Sequence, residues 1–213
     1  MKPKPPPSGA TARRRPRQSR AWHTSQALQD AYVRLLVERG HAGITIREIV
    51  ALAGTGLGSF YEYFASKDDL ALVCLHLRTK RLLRAMHVAI GQHAGRPLRD
   101  IVDAVICAQL TAHDGPPREW GAHYLLERHH SSADAYRKMY DRFVAEWEYA
   151  LESAADLPAS CAKAEVARVC QTIMYGLFAH AFLRGEAPDA AALARQTRAA
   201  LRAWVDHVAP RSR

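Results

Sequence analysis

Apolar residues repeat along this chain with the period of an α-helix from about residue 21 almost to the C-terminus. In the first segment, the spacing i, i+3, i+4, i+7 and i+8 is filled by Leu28, Ala31, Tyr32, Leu35 and Leu36. Gly40 follows this segment as a C-terminal stop signal. No stretch alternates apolar and polar residues over a length useful for a β-strand. The pattern therefore predicts an all-α fold.

Two short helices are predicted after the first one. Thr45 and Glu48 have the spacing of a capping box, which marks the start of the second helix. The segment Gly54-Thr55-Gly56 interrupts that helix. The third helix has an apolar stripe formed by Leu57, Phe60, Tyr61 and Phe64.

Longer helices are predicted downstream. Ser66 and Asp69 have capping-box spacing and indicate the start of a fourth helix. Its expected buried side consists of Leu70, Val73, Cys74 and Leu77. Five more helices are predicted over about 97–112, 118–130, 133–156, 160–184 and 188–208, which gives about nine in all.

Positive charge is concentrated at the N-terminus. The net charge is +9, and residues 1–20 contain seven Lys and Arg with no acidic residue, whereas residues 21–66 carry a net −1. Residues 1–19 are rich in Pro, Arg and Ser without apolar periodicity, so we expect a disordered arm. Such an arm suits a polyanion, and nucleic acid is favoured over a membrane because no amphipathic apolar face accompanies it. A solvated leader without a specific role remains an alternative.

The rest of the composition indicates a cytoplasmic protein. Hydrophobic residues make up 48% of the chain, no apolar run approaches the length of a membrane span, and the N-terminus lacks an apolar leader. We expect no membrane partner. The four cysteines form no CxxC pair and are expected to be small buried apolar residues rather than redox sensors; they are Cys74, Cys107, Cys161 and Cys170.

The two short helices have the components of a helix-turn-helix. In that motif the first helix braces the second, which enters the major groove of DNA. Gly56, Gly58 and Ser59 are small enough for close backbone approach to DNA, while Phe60 and Phe64 would anchor the other side. An ordinary helical hairpin is the alternative, but the two capping boxes and the spacing favour the helix-turn-helix.

Residues 40–70, GHAGITIREIVALAGTGLGSFYEYFASKDDL, resemble the DNA-binding signature of the TetR family of transcriptional regulators. The matching positions are Gly40, Thr45, Ala53-Gly54, Gly58-Ser59-Phe60-Tyr61, Tyr63-Phe64 and Ser66-Lys67. The resemblance covers roughly residues 24–72, and the remainder matches only in architecture. It implies a helix-turn-helix domain at 20–66 and a helical domain for ligand binding and dimerisation at 67–213, after the arm at 1–19.

The resemblance also implies a set of DNA contacts. Arg47 has the reach for a guanine edge, and the start of the third helix would lie against bases or phosphates. The implied contacts are Thr45, Arg47, Leu57, Gly58, Ser59, Tyr61, Tyr63 and Lys67. Leu57 and Gly56 stand where polar residues are common, and Glu62 brings a carboxylate close to phosphates. We therefore expect the arm to supply much of the affinity through Arg13, Arg14, Arg15 and Arg17.

For the second domain, the resemblance implies a homodimer through the helices at about 160–184 and 188–208, and a pocket for a small-molecule inducer. The candidate pocket walls are Trp120, His123, Tyr124, Phe143, Trp147, Met174, Tyr175 and Phe178. These residues indicate an apolar or aromatic ligand with one or two polar anchors. Plain core packing is the alternative for each residue, and a monomeric core is the alternative to the dimer.

One histidine group has metal-ligand spacing. His123, Glu127 and His130 lie at i, i+4 and i+7 beside His129, a pattern that could hold zinc. An exposed helix end explains the same residues and no fourth ligand is evident, so we predict no metal site and no cofactor.

The sequence and its resemblance predict a ligand-responsive transcriptional regulator, and the habit of the TetR family implies that it is a repressor. It would bind double-stranded operator DNA of palindromic sequence as a dimer and be released by an inducer. No nucleophile motif, phosphate-binding loop or pair of buried carboxylates can be assembled, so an enzyme is not expected. A protein-interaction or membrane-surface module would leave the signature from Thr45 to Lys67 unexplained.

Overall fold

The computed structural model describes the backbone of residues 16–184 and 188–208, and the side chains of these ranges from residue 21 onward. Within them the chain forms nine α-helices, one short 3₁₀ turn and no strand, which confirms the predicted all-α class. The helices are α1 (Pro16–Arg39), α2 (Ile46–Leu52), α3 (Leu57–Tyr63), α4 (Lys67–Gln92), α5 (Leu98–Ala112), α6 (Pro117–His130), α7 (Ala133–Ser153), α8 (Lys163–Leu183) and α9 (Ala190–Val208), and the 3₁₀ turn (His41–Gly43) follows α1.

The first helix starts earlier than the apolar pattern indicates. It begins at Pro16 rather than near residue 21, so residues 16–19 of the predicted disordered arm are helical. Proline is well suited to a first helical position, because the backbone N–H it lacks would have no partner there. Arg17 lies in this first turn, whereas residues 1–15, with Arg13, Arg14 and Arg15, lie outside the described residues.

The predicted start and stop signals of the first helices are present in the structure. Gly40 ends α1 with φ of 70°, a left-handed conformation that favours glycine. The capping box of Thr45 and Glu48 is complete. The second box forms only in part: the Ser66 hydroxyl accepts from the Asp69 N–H at 3.0 Å, but the Asp69 carboxylate accepts from the N–H of Ala65 instead of Ser66. The carboxylate thus bonds one residue further back.

Two hydrophobic cores meet along α4. The first is built by α1, α2, α3 and the start of α4, and extends through Leu70, Ala71, Cys74 and Leu75. The second begins at Leu82 and includes the remaining helices. A domain boundary at residue 66/67 therefore does not match the packing, because the first two turns of α4 complete the N-terminal core.

Some positions of the predicted stripes face solvent. On α4, Leu77 is 43% exposed and Val73 is half-buried, while Leu70 and Cys74 are buried as expected. On α3, Phe60 is fully buried but Leu57 and Tyr61 are exposed. A seven-residue helix has only about two turns, so it can bury little more than one side.

Helix α8 is the centre of the second core. By length and mean hydropathy (1.2), it alone among the described helices meets the minimum for crossing a membrane. This differs from the prediction that no apolar run approaches the length of a membrane span. Helix α8 nevertheless packs against α6, α7 and α9, and Cys170, Met174 and Phe178 are buried there. These contacts are those of a core helix, which is necessarily apolar.

Close packing between α6 and α8 depends on Gly121. A Cβ atom at this position would lie 2.8 Å from the backbone oxygen of Phe182. We predict that Gly121→Ala lowers the free energy of unfolding by about 1–3 kcal/mol, because the backbone of α8 must move to admit the methyl group. Urea denaturation measures this change.

Gly91 provides a matched control on another helix. A Cβ there would meet the Tyr149 hydroxyl at 3.7 Å, an ordinary contact. We expect Gly91→Ala to be neutral or stabilising by up to about 1 kcal/mol, because alanine favours helix. Equal stability of the two variants would contradict the packing argument.

Candidate nucleic-acid interface and buried polar cavity

The turn between α2 and α3 presents α3 at the surface. Gly54 adopts φ of 65°, and the Thr55 N–H donates to the Val50 carbonyl at 2.9 Å, so the chain reverses sharply. Gly56 then precedes α3 in an extended conformation. Phe60, with no exposed surface, fixes α3 to the first core. The opposite side of α3 is therefore free to contact a partner.

Most of the predicted DNA-contacting residues lie on exposed surface. Arg47 is exposed at the start of α2, Gly58 has open space around its Cα, and Tyr61 is 58% exposed. Ser59 is half-buried. Tyr63 is also half-buried and packs against the first core, so its ring contributes to stability. The exposed groups available to DNA are therefore the Arg47 guanidinium, the Tyr61 phenol and, at Gly58, backbone without a side chain.

The Thr45 hydroxyl is already engaged. It donates to the Glu48 carboxylate at 2.8 Å and accepts from the Glu48 N–H at 3.3 Å. The hydroxyl bond, a second bond from the Thr45 N–H to the same carboxylate at 2.9 Å and the Arg39 guanidinium lower the pKa of the Glu48 carboxyl. A phosphate accepts hydrogen bonds only, so Thr45 would have to release Glu48 before donating its hydroxyl proton to DNA.

Lys67 has a structural role that its sequence position did not indicate. Its ammonium group donates to the backbone carbonyls of His41 at 2.7 Å and Ile44 at 2.8 Å. It thereby fixes the 3₁₀ turn against the start of α4. Only one of its three N–H donors remains for the predicted phosphate contact.

The histidine group suggested by helical spacing does not converge. His123 bonds through Nδ1 with the Glu119 carbonyl at 2.9 Å, and burial lowers its pKa to about 4. Glu127 is bound by Arg78 at 2.6 Å and by the Tyr175 hydroxyl at 2.8 Å. Both residues are buried, not part of an exposed helix end. His130 instead meets residues from two other elements.

A small cavity of about 30 Å³ lies in the second core, among α4 to α8. Five of the eight predicted wall residues line it: Tyr124, Phe143, Met174, Tyr175 and Phe178. Its polar residues were not predicted, because no local sequence pattern marks them. These are Arg78, Thr79, Gln109, His113, Glu127 and Gln171.

The other three predicted wall residues lie elsewhere. Trp120 and His123 line a separate groove towards α1, on the other side of Arg78, which borders both spaces. The Trp120 indole N–H donates to the Asp114 carbonyl at 2.8 Å. Trp147 is fully buried and donates to the Gln171 side chain at 3.3 Å, which makes it a packing residue behind the cavity.

Arg78 is the dominant charge in this cavity. Its side chain is 7% exposed, and only Nη2 is bonded, to Glu127; Nε and Nη1 have no partner among the described residues. The guanidinium lies 4.5 Å from the centre of the Tyr124 ring, a cation–π arrangement. A buried donor without a partner is costly, so the cavity favours a group that can accept these hydrogen bonds.

Neutral polar groups surround the guanidinium. Burial lowers the pKa of His113 to about 3, so its ring is uncharged at neutral pH. Its Nδ1 lies 2.7 Å from the Gln109 carbonyl and must carry the proton, which leaves Nε2 to accept from the Tyr124 hydroxyl at 3.0 Å. Burial also raises the pKa of Tyr124 to about 12. The cavity is thus a mostly apolar space with one set of strong donors.

Comparison with known proteins agrees with this arrangement. Residues 28–74 match the model of the bacterial regulatory proteins of the tetR family. The HTH-type transcriptional regulator BetI of Brucella abortus (strain 2308) is 27% identical over 165 residues, which cover 77% of this chain and 82% of BetI. These matches describe transcriptional regulators and not enzymes, as the sequence predicted.

Solved structures share the whole fold. A putative transcriptional regulator from Pseudomonas aeruginosa PAO1 superposes with a TM-score of 0.68 at 22% identity, covering 92% of each chain. FadR of Bacillus subtilis, solved in complex with stearoyl-CoA, gives a TM-score of 0.67 at 16% identity, covering 83% of this chain and 96% of FadR. The signature at residues 40–70 lies inside the matched segment, so residues 28–74 form a DNA-binding domain of the tetR family of bacterial regulatory proteins.

Proposed function

We propose that this tetR-family regulator represses transcription by binding a palindromic operator as a homodimer, and that a small molecule in the α4–α8 cavity releases it. The observation that carries the proposal is the exposed side of α3, with Phe60 buried behind it and Leu57, Gly58 and Tyr61 in front. A major groove accommodates a helix presented in this way.

Arg47 and Tyr61 are the side chains best placed to contact DNA. Both are exposed, and no hydrogen bond or ion pair to another described residue ties down either side chain. A guanidinium can bond guanine O6 and N7 together, whereas a phenol hydroxyl reaches a phosphate. Specificity would thus rest on Arg47, and Tyr61 would position α3.

A second copy of the chain is expected at α8 and α9. These helices pack against each other, and Ile173, Leu177 and Trp204 remain only half-buried in the single chain. Pairing these faces around a two-fold axis would bury them and place two α3 helices on successive half-sites. The proposal also includes DNA contacts by the basic arm, a cytoplasmic location and a palindromic operator.

The inducer is proposed to be an apolar or aromatic molecule with one acceptor oxygen. Phe143, Met174 and Phe178 supply apolar walls, and the two unpaired Arg78 donors supply the polar anchor. A cavity of about 30 Å³ holds one or two water molecules, so an inducer must displace side chains to enter. The FadR complex with stearoyl-CoA shows a ligand bound to a protein of this fold.

The release mechanism would act through α4. Arg78 lies eleven residues after the start of this helix at Lys67, and α3 ends only four residues before that start. A ligand that draws Arg78 away from Glu127 would shift α4 relative to α6 and change the spacing of the two α3 helices. Both half-sites must be filled together, so a small change in spacing removes much of the specific affinity.

The Arg47→Ala variant tests the DNA interface. We expect a loss of about 1–3 kcal/mol on an operator selected from random duplexes, and a much smaller loss on non-specific duplex, because a guanine contact is removed. Fluorescence anisotropy at fixed salt measures both. Arg137→Ala removes an exposed arginine on α7, away from the proposed interface, and serves as the control. We expect it to leave the ratio of specific to non-specific affinity unchanged. An unchanged ratio of specific to non-specific affinity for Arg47→Ala would refute the proposed readout.

Deleting residues 1–15 tests the arm while leaving α1 intact from Pro16. We expect the plot of log K against log salt to become shallower by about 0.9 for each phosphate that the arm no longer neutralises. The proposal predicts several such phosphates, because Arg13, Arg14 and Arg15 are removed together. Titrations at four or more salt concentrations measure the slope. A slope equal to that of the full chain would show that the arm does not contact DNA.

Matched ligands test the chemistry of the cavity. We expect an aromatic ketone to raise the melting temperature and weaken operator binding more than the alkylbenzene of the same size, because only the ketone accepts from Arg78. The double variant Arg78→Met/Glu127→Gln should lose this discrimination without leaving a buried charge. Arg81→Met changes a more exposed arginine on the same helix and should retain it. Equal effects of the two ligands on the unaltered protein would exclude the anchor.

A further inference from the structure

Three side chains that are far apart in sequence meet where the N-terminal core contacts α6. His41 lies in the 3₁₀ turn, Asp68 in the first turn of α4, and His130 is the last residue of α6. One ligand atom from each lies within 4.8 Å of the other two. The His41 Nε2 is 2.8 Å from an Asp68 carboxylate oxygen, and the two imidazole rings are 4.0 Å apart between centres.

A hydrogen bond to Nδ1, the ring nitrogen that does not face Asp68, fixes the orientation of His41. Its Nδ1 lies 2.8 Å from the hydroxyl of Tyr32, which has no exposed surface. Its backbone carbonyl accepts from Lys67. Nε2 is therefore left facing Asp68 and His130. Histidines that bind metals commonly have this arrangement, in which the second ring nitrogen is held by a hydrogen bond while the first faces the ion.

The donor set matches the preferences of zinc and related ions. Two imidazole nitrogens and one carboxylate oxygen are typical ligands of Zn²⁺, at bond lengths of about 2.0–2.2 Å. Ligand atoms around such a tetrahedral ion lie about 3.4 Å apart. The His41–Asp68 pair, at 2.8 Å, must therefore open by about half an ångström, and any pair near the 4.8 Å limit must close. Asp68 is 71% exposed and His130 ends its helix, so both can adjust.

The surroundings allow a fourth ligand and a positive ion. His41 and His130 line a groove of about 600 Å³ that gives solvent access. The Lys67 ammonium is the neighbouring cation that opposes metal binding, but the two carbonyls it contacts partly offset its charge. The C-terminal end of α6, which carries partial negative charge, lies at His130 and favours a cation.

We propose that His41, Asp68 and His130 bind a divalent transition-metal ion of the zinc class, with water in the fourth position, and that this ion links α6 to the DNA-binding domain. Asp68 follows the end of α3 by five residues. An ion bound here fixes the segment directly after α3 to the helix that carries Glu127 of the inducer cavity. Metal occupancy then controls how easily α4 moves.

Calorimetric titration of the untagged full-length protein with Zn²⁺ tests the site. We expect one ion per chain, a rise in melting temperature on binding, and no heat from Mg²⁺, which prefers oxygen ligands. His130→Gln and Asp68→Asn should each weaken Zn²⁺ binding by about tenfold or more. Tyr32→Phe should weaken it by about 10–100-fold, because the supporting hydrogen bond is removed. His129→Gln changes the adjacent exposed histidine and should bind as the unaltered protein does.

Co²⁺ spectra separate this site from cysteine binding. Visible bands without a thiolate charge-transfer band indicate nitrogen and oxygen ligands. The proposal is overturned if the unaltered chain shows no saturable binding at one ion per chain, if a thiolate band appears, or if His130→Gln and Asp68→Asn both bind Zn²⁺ with unchanged affinity. Circular dichroism of each variant checks that any weakened binding is not a loss of fold.

Discussion

The sharing of one continuous helix by two cores is the constraint on which the rest of this structure depends. Helix α4 runs from Lys67 to Gln92, about 39 Å at 1.5 Å per residue. Its first two turns are buried with α1–α3, and its second half is buried with α5–α8. A helix is stiff along its axis, so an axial displacement at Arg78 would be passed on to Leu70, eight residues before it. The helix therefore connects the cavity mechanically to α3.

The Arg78–Glu127 pair lies where α4 changes from one core to the other. Placing two charges in a buried environment costs several kcal/mol per ion before their attraction offsets it, so this pair is weak evidence for stability. Replacing it with apolar residues would preserve packing and remove the unpaired Arg78 donors. Its presence is better explained by a need for a polar contact between α4 and α6 that a ligand can exchange for another. A purely apolar contact between α4 and α6 contains no hydrogen bond that a ligand could replace.

The sequence predicted those features that are determined within a few residues. The stop at Gly40 and the box of Thr45 and Glu48 depend on local hydrogen bonds, and both formed as predicted. Burial of Val73 and Leu77, by contrast, depends on which helices lie opposite. The same limit applies to the cavity: aromatic residues were identified by type, but Arg78 and Gln109 become recognisable only when α4 and α5 are packed together. His41, Asp68 and His130 are separated by 27 and 62 residues, a spacing that no local motif marks.

The cavity and the histidine cluster involve the same pair of helices, α4 and α6. On α6, Glu127 and His130 lie three residues apart, about one turn; on α4, Arg78 and Asp68 lie within the same rigid rod. An ion that holds Asp68 against His130 favours the arrangement in which α4 and α6 keep their present distance. A ligand that separates Arg78 from Glu127 favours a different distance. Because coupling between binding equilibria is reciprocal, each would weaken the binding of the other to the same extent.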